Sequence, residues 1–387
     1  MSRPLTIGVI AGAASGDQLG FKLMQALRHR VPDCRLIGVG GERMTHEGLQ
    51  SLFPLSDIAV MGILPVIARL PLLLRRIRET VAFFATEKPD VLVIIDSPDF
   101  THRVARQLKK LLPDLPVVNY VSPTVWAWRP GRARNMRAYV NHVLALLPFE
   151  PAAYRRLDGP DCTYVGHPLI ERLEELRPDP QEQTERDSQP ATLLVLPGSR
   201  RSEIRRLMPV FGAVLQRLVN QHGLSLAPVL PAVSHLRSEI ENQIESWPVK
   251  PLLLAGEADK YKAFRSACAA LAASGTVTLE LALSGVPQVV AYQVSSLEAQ
   301  LRHFITVPSI VLPNLILDEL AFPEFLQDQC TPDHLTHALL PLLGDSPERA
   351  AQLAACTRLD SLMRVDTPPS DRAADIILSY VRSPKHA

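Results

Sequence analysis

The chain has 387 residues, of which 47% are hydrophobic and 21% charged. That is ordinary globular composition, long enough for about two domains. A net charge of +1 argues against general nucleic-acid binding, so charge matters here only where it clusters. The five cysteines, Cys34, Cys162, Cys268, Cys330 and Cys356, are scattered and form no C-x-x-C, which fits a reducing compartment and argues against a thiolate metal site.

Residues 5–11 form a short β-rich run with no signal-peptide layout before it. Gly12-Ala13-Ala14-Ser15-Gly16-Asp17 follows, then a helical pattern to about residue 29. Strand, glycine-rich turn and helix is a phosphate-loop layout, although the turn is neither G-x-G-x-x-G nor a Walker motif. It equally suits a tight turn with Ser15 or Asp17 as helix cap. Residues 35–39 read as the next strand, ending in Gly40-Gly41. The stretch 58–84 is apolar, contains Pro65, and is punctuated by Arg69, Arg75, Arg76 and Arg78. Such a segment suits either a membrane interface or a buried amphipathic helix with a solvated arginine edge. No apolar run in the chain approaches the roughly 18 residues of a membrane span.

Residues 91–95, VLVII, read as a central parallel strand buried on both faces. Asp96 follows directly, and a carboxylate there points into the ligand crevice of a parallel sheet, a good place for a general base. Asp99 suits helix capping better. Residues 117–121 are another strand, leading into VSPTVWAWRPGRARNMR at 121–137. Trp126 and Trp128 there stand against Arg129, Arg132, Arg134 and Arg137 with no acid between them. Arginine forks suit phosphate oxygens, and indoles suit an apolar or sugar face. Strands at 142–147 and 164–166 complete a first α/β domain, 1–170. The polar, proline-containing stretch 171–190 reads as a helix end and linker.

A second α/β domain, 191–345, begins with a strand at 192–196, the turn Pro197-Gly198-Ser199-Arg200 and a helix from Glu203. Backbone N–H groups, a hydroxyl and an arginine at a helix start are what a diphosphate needs. Strands at 226–230, 251–254, 267–273 and 288–292 alternate with helical patterns, which predicts a parallel sheet. After the strand ending at Ala273, the small residues Ser274, Gly275 and Thr276 open a helix, and Glu280 lies one turn in. That start suits a phosphate, and the glutamate suits a ribose diol. Residues 309–314 look strand-like, and 318–382 look mostly helical, with 346–387 placed as C-terminal helices that pack back on the first domain.

At this point the chain resembles the lipid-A-disaccharide synthases, a glycosyltransferase family (family 19) of the GT-B superfamily. The matching segments run nearly end to end: AGAASGD at 11–17, GVGGERM at 38–44, IIDSPDF at 94–100, YVSPTVWAWR at 120–129, YVGHP at 164–168, LPGSR at 196–200, ASGTVTLE at 273–280 and SIVLPNL at 309–315. The WAWR and SPDF segments are specific to the family. ASGTVTLE is shared with other nucleotide-sugar enzymes, among them the N-acetylglucosaminyltransferase of peptidoglycan synthesis. One departure stands out: the family usually carries a glutamate where this chain has Ala13, and a methyl group accepts no hydrogen bond.

The resemblance implies a GT-B α/β fold of two Rossmann-like domains facing across a cleft. It implies an inverting transfer of 2,3-diacylglucosamine from its UDP derivative to the 6-hydroxyl of 2,3-diacylglucosamine 1-phosphate, without a cofactor or obligatory metal. Asp96 is the expected base. Ser199, Arg200, Ser274, Gly275, Thr276, Glu280 and Asn314 are expected at UDP, and Ser15, Asp17, Trp126, Arg129 and Arg132 at the acceptor and its phosphate. The expected partners are the two lipid substrates, the cytoplasmic face of a bacterial inner membrane and a second copy of the chain, with no nucleic acid. A UDP-sugar 2-epimerase and a non-catalytic nucleotide-sugar or lipid-binding relative are the competing readings. A soluble sugar needs neither the apolar 58–84 segment nor the WAWR loop.

Overall fold

Runs of Val, Ile, Leu and Ala without alternating polar positions can be buried on both faces, and strands of that kind assemble into parallel sheets with helical crossovers. All five residues of Val91–Ile95 are buried. The computed structural model describes residues 3–59, 69–294 and 307–382. These contain two six-stranded sheets, parallel throughout, each in its own unit. Most of the apolar stretch 58–68 lies outside the described residues.

The first unit comprises Met1–Pro168 and Val365–Ala387. Its strands are β1 (Thr6–Ala11), β2 (Arg35–Val39), β3 (Val91–Ile95), β4 (Val117–Tyr120), β5 (His142–Ala145) and β6 (Asp161–Tyr164), in the order β2-β1-β3-β4-β5-β6. Its first helices are α1 (Ala14–Arg30), α2 (Glu42–His46), α3 (Leu70–Glu87), α4 (Pro98–Leu111), α5 (Gly131–Met136) and α6 (Glu150–Arg156). Period-two alternation sends Ile7, Val9 and Ala11 into one core, with Leu23 and Leu27 of α1. Ile10 enters the other, with Phe84 of α3 and Val104 and Leu108 of α4.

The second unit, Leu169–Arg364, opens with α7 (Leu173–Leu176) and α8 (Pro180–Glu185). It continues through β7 (Ala191–Leu196), α9 (Arg201–Asn220), β8 (Leu226–Pro231), α10 (Arg237–Ile244), β9 (Leu252–Leu254), α11 (Glu257–Ser266), β10 (Ala269–Ala273), α12 (Thr276–Leu283), β11 (Gln288–Tyr292), α13 (Leu312–Leu317), β12 (Glu324–Leu326), α14 (Pro332–Leu339) and α15 (Pro347–Met363). The strand order is β12-β11-β10-β7-β8-β9. The chain then returns to the first unit with α16 (Pro369–Arg382).

The structure differs from the sequence reading in four places. The polar stretch 171–190 folds into the second unit: Leu176 is fully buried, and the buried Arg186 donates to the carbonyls of Phe264, Arg265, Ser284 and Gly285. Residues 309–314 are not a strand; α13 starts at Leu312, with Pro313 in its first turn. A short edge strand, β12, lies within the stretch read as helical. Of the C-terminal helices α16 belongs to the first unit and packs on α1, while α15 belongs to the second.

Candidate active site

In an open parallel sheet the ligand crevice forms where two neighbouring strands send their connections in opposite directions along the sheet. In the first unit those strands are β1 and β3, which pair with Ala11 opposite Ile95. The segments that leave them are 12–17 and 96–99, so the turn with Ser15 and the carboxylate of Asp96 meet at this point. Ser15 Oγ donates to Asp96 Oδ2 at 2.6 Å, and the Ser97 N–H donates to Asp96 Oδ1 at 2.7 Å. Asp96 and Ser97 both have positive φ, +57° and +42°. Two successive non-glycine residues in that region are sterically costly, and the backbone there is held from several sides. Thr101 Oγ1 donates to the carbonyls of Asp96 and Ser97, and the Asp96 N–H donates to Tyr120 O. Gly12 is required by the close approach: a Cβ there would lie 2.2 Å from that of Ser97. Ala13 precedes α1 in an extended conformation and supplies no cap.

Asp17, also expected at the acceptor, has a structural part. It is buried, and its carboxylate accepts from the N–H groups of Gly41, Arg43 and Met44 at 2.8–3.1 Å. It ties α1 to the start of α2.

The loop after β4 divides its residues. Trp126, expected at the acceptor, is 8% exposed, packs edge-on to Phe149, and donates its Nε1–H to Glu150 Oε1 at 3.0 Å. Burial pushes the Glu150 carboxyl up to about 7. Arg134 and Arg137 pair with Asp158. Arg129 and Arg132 instead line a 570 Å³ cavity together with Arg103 and Arg106 of α4. The two α4 arginines escape a reading that follows the loop alone. Their signal is helical: Asp99, His102, Arg103 and Arg106 recur at spacings of three and four, one face of a helix.

In the second unit the reversal lies between β7 and β10, which pair side by side. The segments leaving them are the 197–200 turn and the 274–276 helix start, so Ser199, Arg200, Ser274, Gly275 and Thr276 come from neighbouring strand ends. The turn is not open. Glu203, which the sequence reading missed, is buried and accepts from the N–H groups of Ser199 and Arg200 at 3.1 and 3.2 Å, and from Arg200 Nη1 at 3.1 Å. Gly198, at φ +106°, leaves room for it: a Cβ there would lie 2.3 Å from Glu203 Oε2. Gly275 and Thr276 are exposed, and Ser274 Oγ donates to Ile310 O at 2.9 Å.

Glu280 is buried and pairs with Lys260 Nζ at 2.6 Å, with Tyr261 OH at 3.4 Å. Asn314, expected at UDP, has its amide clamped to both backbone groups of Phe322 at 2.8–2.9 Å and to Ser309 Oγ, so it shapes the loop from inside. Among the described residues no group of three or more His, Cys, Asp or Glu stands where it could hold a metal ion, and no helix is long and apolar enough to cross a membrane.

The sequence profile of the lipid-A-disaccharide synthetase family matches residues 7–375. Lipid-A-disaccharide synthase of Rhodopseudomonas palustris (strain HaA2) is 54% identical over 377 residues, 97% of this chain and 96% of its own. The enzyme of that name from Ruegeria pomeroyi is 42% identical, over 97% of this chain and 95% of its own. Among solved structures, MurG of Acinetobacter baumannii aligns over 97% of this chain and 100% of its own, with a TM-score of 0.60 and 13% identity. A putative UDP-N-acetylglucosamine 2-epimerase from Listeria monocytogenes aligns over 98% and 96%, with a TM-score of 0.61 and 12% identity, so both speak for the fold alone. A profile that spans almost the whole chain and relatives more than 40% identical over nearly full length place the chain in the lipid-A-disaccharide synthetase family, with the GT-B fold.

Proposed function

We propose that this chain joins UDP-2,3-diacylglucosamine to 2,3-diacylglucosamine 1-phosphate, giving the β-1,6-linked disaccharide 1-phosphate and UDP. The observation that carries the mechanism is Asp96, fixed by Ser15 and Ser97 at the strand reversal of the first unit. The acceptor 6-hydroxyl loses its proton to the Asp96 carboxylate as its oxygen attacks the anomeric carbon. The bond from that carbon to the diphosphate oxygen breaks, and UDP leaves with the electron pair. One in-line displacement inverts the anomeric centre and needs one base, a role typically contributing about 10²–10⁴-fold.

Arg200 and the start of α12 meet the charge that grows on UDP, because a guanidinium and free helix N–H groups stabilise an anion without reorganising. With its amides held by Glu203, the 197–200 turn offers chiefly the Arg200 side chain, which is 63% exposed. On the acceptor side, Leu70 and Leu74 stand exposed one turn apart at the start of α3, flanked by the exposed Arg69, Arg75 and Arg78. That combination suits acyl chains and anionic headgroups, so we place the enzyme peripherally on the cytoplasmic face of the membrane that holds its substrates.

The test is UDP release by the purified chain in detergent, with and without the acceptor. Acceptor-dependent release with a disaccharide product is expected, and its absence overturns the reading. Asp96→Asn is expected to keep UDP affinity and to lose at least about a hundredfold in turnover. Near-normal turnover in that variant would remove Asp96 as the base.

A further inference from the structure

The cavity beside α4 holds more positive charge than the transfer step uses. Arg103 and Arg106 of α4 and Arg129 and Arg132 of the following loop line its 570 Å³, with Asp99 as its carboxylate. Asp99 is almost fully exposed and stands 3.9 Å from Arg132. Among the described residues no carboxylate pairs with Arg103, Arg106 or Arg129. Exposed arginines nearby in the fold do find acids, as Arg134 and Arg137 do with Asp158. His102, also in the wall, adds no charge: burial pushes it down to about 3, and its two ring nitrogens meet Tyr139 OH and Asn119 Oδ1.

Two of the guanidinium groups are braced. Arg129 lies over the Trp128 ring at 4.1 Å, and Arg106 lies over Tyr139 at 4.9 Å. Stacking of this kind fixes the plane and leaves the N–H edge to donate, the geometry that suits phosphate oxygens. Position along the helix sets the scale. Pro98 and Asp99 line the cavity immediately beyond Asp96, and Arg103 and Arg106 lie roughly 7 and 12 Å further along the helix at 1.5 Å per residue. The cavity therefore begins at the residues that follow the base and extends away from it along α4.

We propose that this arginine cavity binds the phosphomonoester of the acceptor, and that Arg103 and Arg106 determine the preference for a 1-phosphorylated acceptor sugar. This rests on the transferase reading above. A dianion relieves the mutual repulsion of four guanidinium groups, whereas a sugar with a free anomeric hydroxyl leaves that repulsion in place.

The experiment is steady-state kinetics of the full chain in neutral detergent micelles, with 2,3-diacylglucosamine 1-phosphate and with 2,3-diacylglucosamine as acceptors. The reading is the ratio of kcat/KM for the two. Arg103→Gln and Arg106→Gln are each expected to lower that ratio roughly tenfold, through KM for the phosphorylated acceptor, and Arg103→Lys is expected to recover part of the loss. Both side chains are exposed, so thermal melts of the variants should match the parent. An unchanged ratio overturns the proposal. So does a loss seen only on vesicles containing anionic phospholipid, which would assign the arginines to lipid headgroups. Absence of any transfer by the parent chain sinks the transferase reading, whereas transfer with an unchanged ratio in the variants sinks the phosphate cavity alone.

Discussion

Asp96 and Ser97 occupy a backbone region that costs about 1–3 kcal/mol per residue. Val121, at the end of the neighbouring strand, also has positive φ, +75°. All three residues follow adjacent strands at the edge where ligands bind, so part of the chain's backbone strain lies where the chemistry is expected. The location of Asp96 was legible because a buried five-residue strand has a definite end. Its backbone strain and its bond to Ser15 were not legible, since both depend on β1 and β3 becoming neighbours. Glu203 shows the opposite case. A glutamate three residues into a helix is a recognised cap, yet the loop reads as open until the carboxylate is seen filling it. With those amides committed, the exposed Ser199 and Arg200 side chains are what the turn has left for a diphosphate, and of the two Arg200 carries the charge. Arg200→Ala is expected to weaken UDP binding roughly tenfold by calorimetry, the scale of one hydrogen bond to a charged group. Unchanged affinity would move the diphosphate away from this turn.

At the scale of elements, legibility followed length and burial. Strands such as Arg35–Val39, Val91–Ile95 and Gln288–Tyr292 coincide with their sequence-read spans, because continuous apolar runs bounded by turn residues have few alternatives. The 309–314 run does not, because a short apolar stretch fits a strand or a helix equally, and proline in the first turn favours the helix. Edge strand β12 is only three residues long and half-buried, too little for a pattern. The return helix α16 carries a more consequential interaction. Ala373, Ala374, Ile377 and Leu378 enter the same core as β1 and α1, Arg30 pairs with Asp371 and Asp375, and Tyr380 OH meets His142 Nδ1 at 3.1 Å. The last helix is therefore part of the core beneath the Ser15–Asp96 turn. Ile377→Ala is expected to destabilise the first unit by about 2–5 kcal/mol. Hydrogen exchange should register the loss in β1 and α1, and undiminished protection there would show that α16 is dispensable.

For the whole molecule, a net charge of +1 means that global self-repulsion contributes little near neutral pH, so the pH dependence of stability falls to a few buried groups. Two in the first unit act in opposite directions. Burial raises Glu150 to about 7, so the folded unit keeps a proton that the unfolded chain releases, and this contribution is lost as pH rises from the ordinary carboxylate range through 7. Burial, with Arg132 nearby, lowers His102 to about 3. The unfolded chain then binds the extra proton below about 6.5, so stability is lost as pH falls from 6.5 toward 3. His102→Gln, which keeps hydrogen-bonding capacity toward Tyr139 and Asn119, should remove the second contribution alone. The difference in unfolding free energy between parent and variant, read by exchange at β4, should then change by up to about 1.4 kcal/mol per pH unit across that window and be flat above it. A difference that is flat throughout would mean that His102 takes up its proton in the folded unit at the same pH as in the unfolded chain, and only below that pH would the arginine cavity it borders carry a fifth positive group.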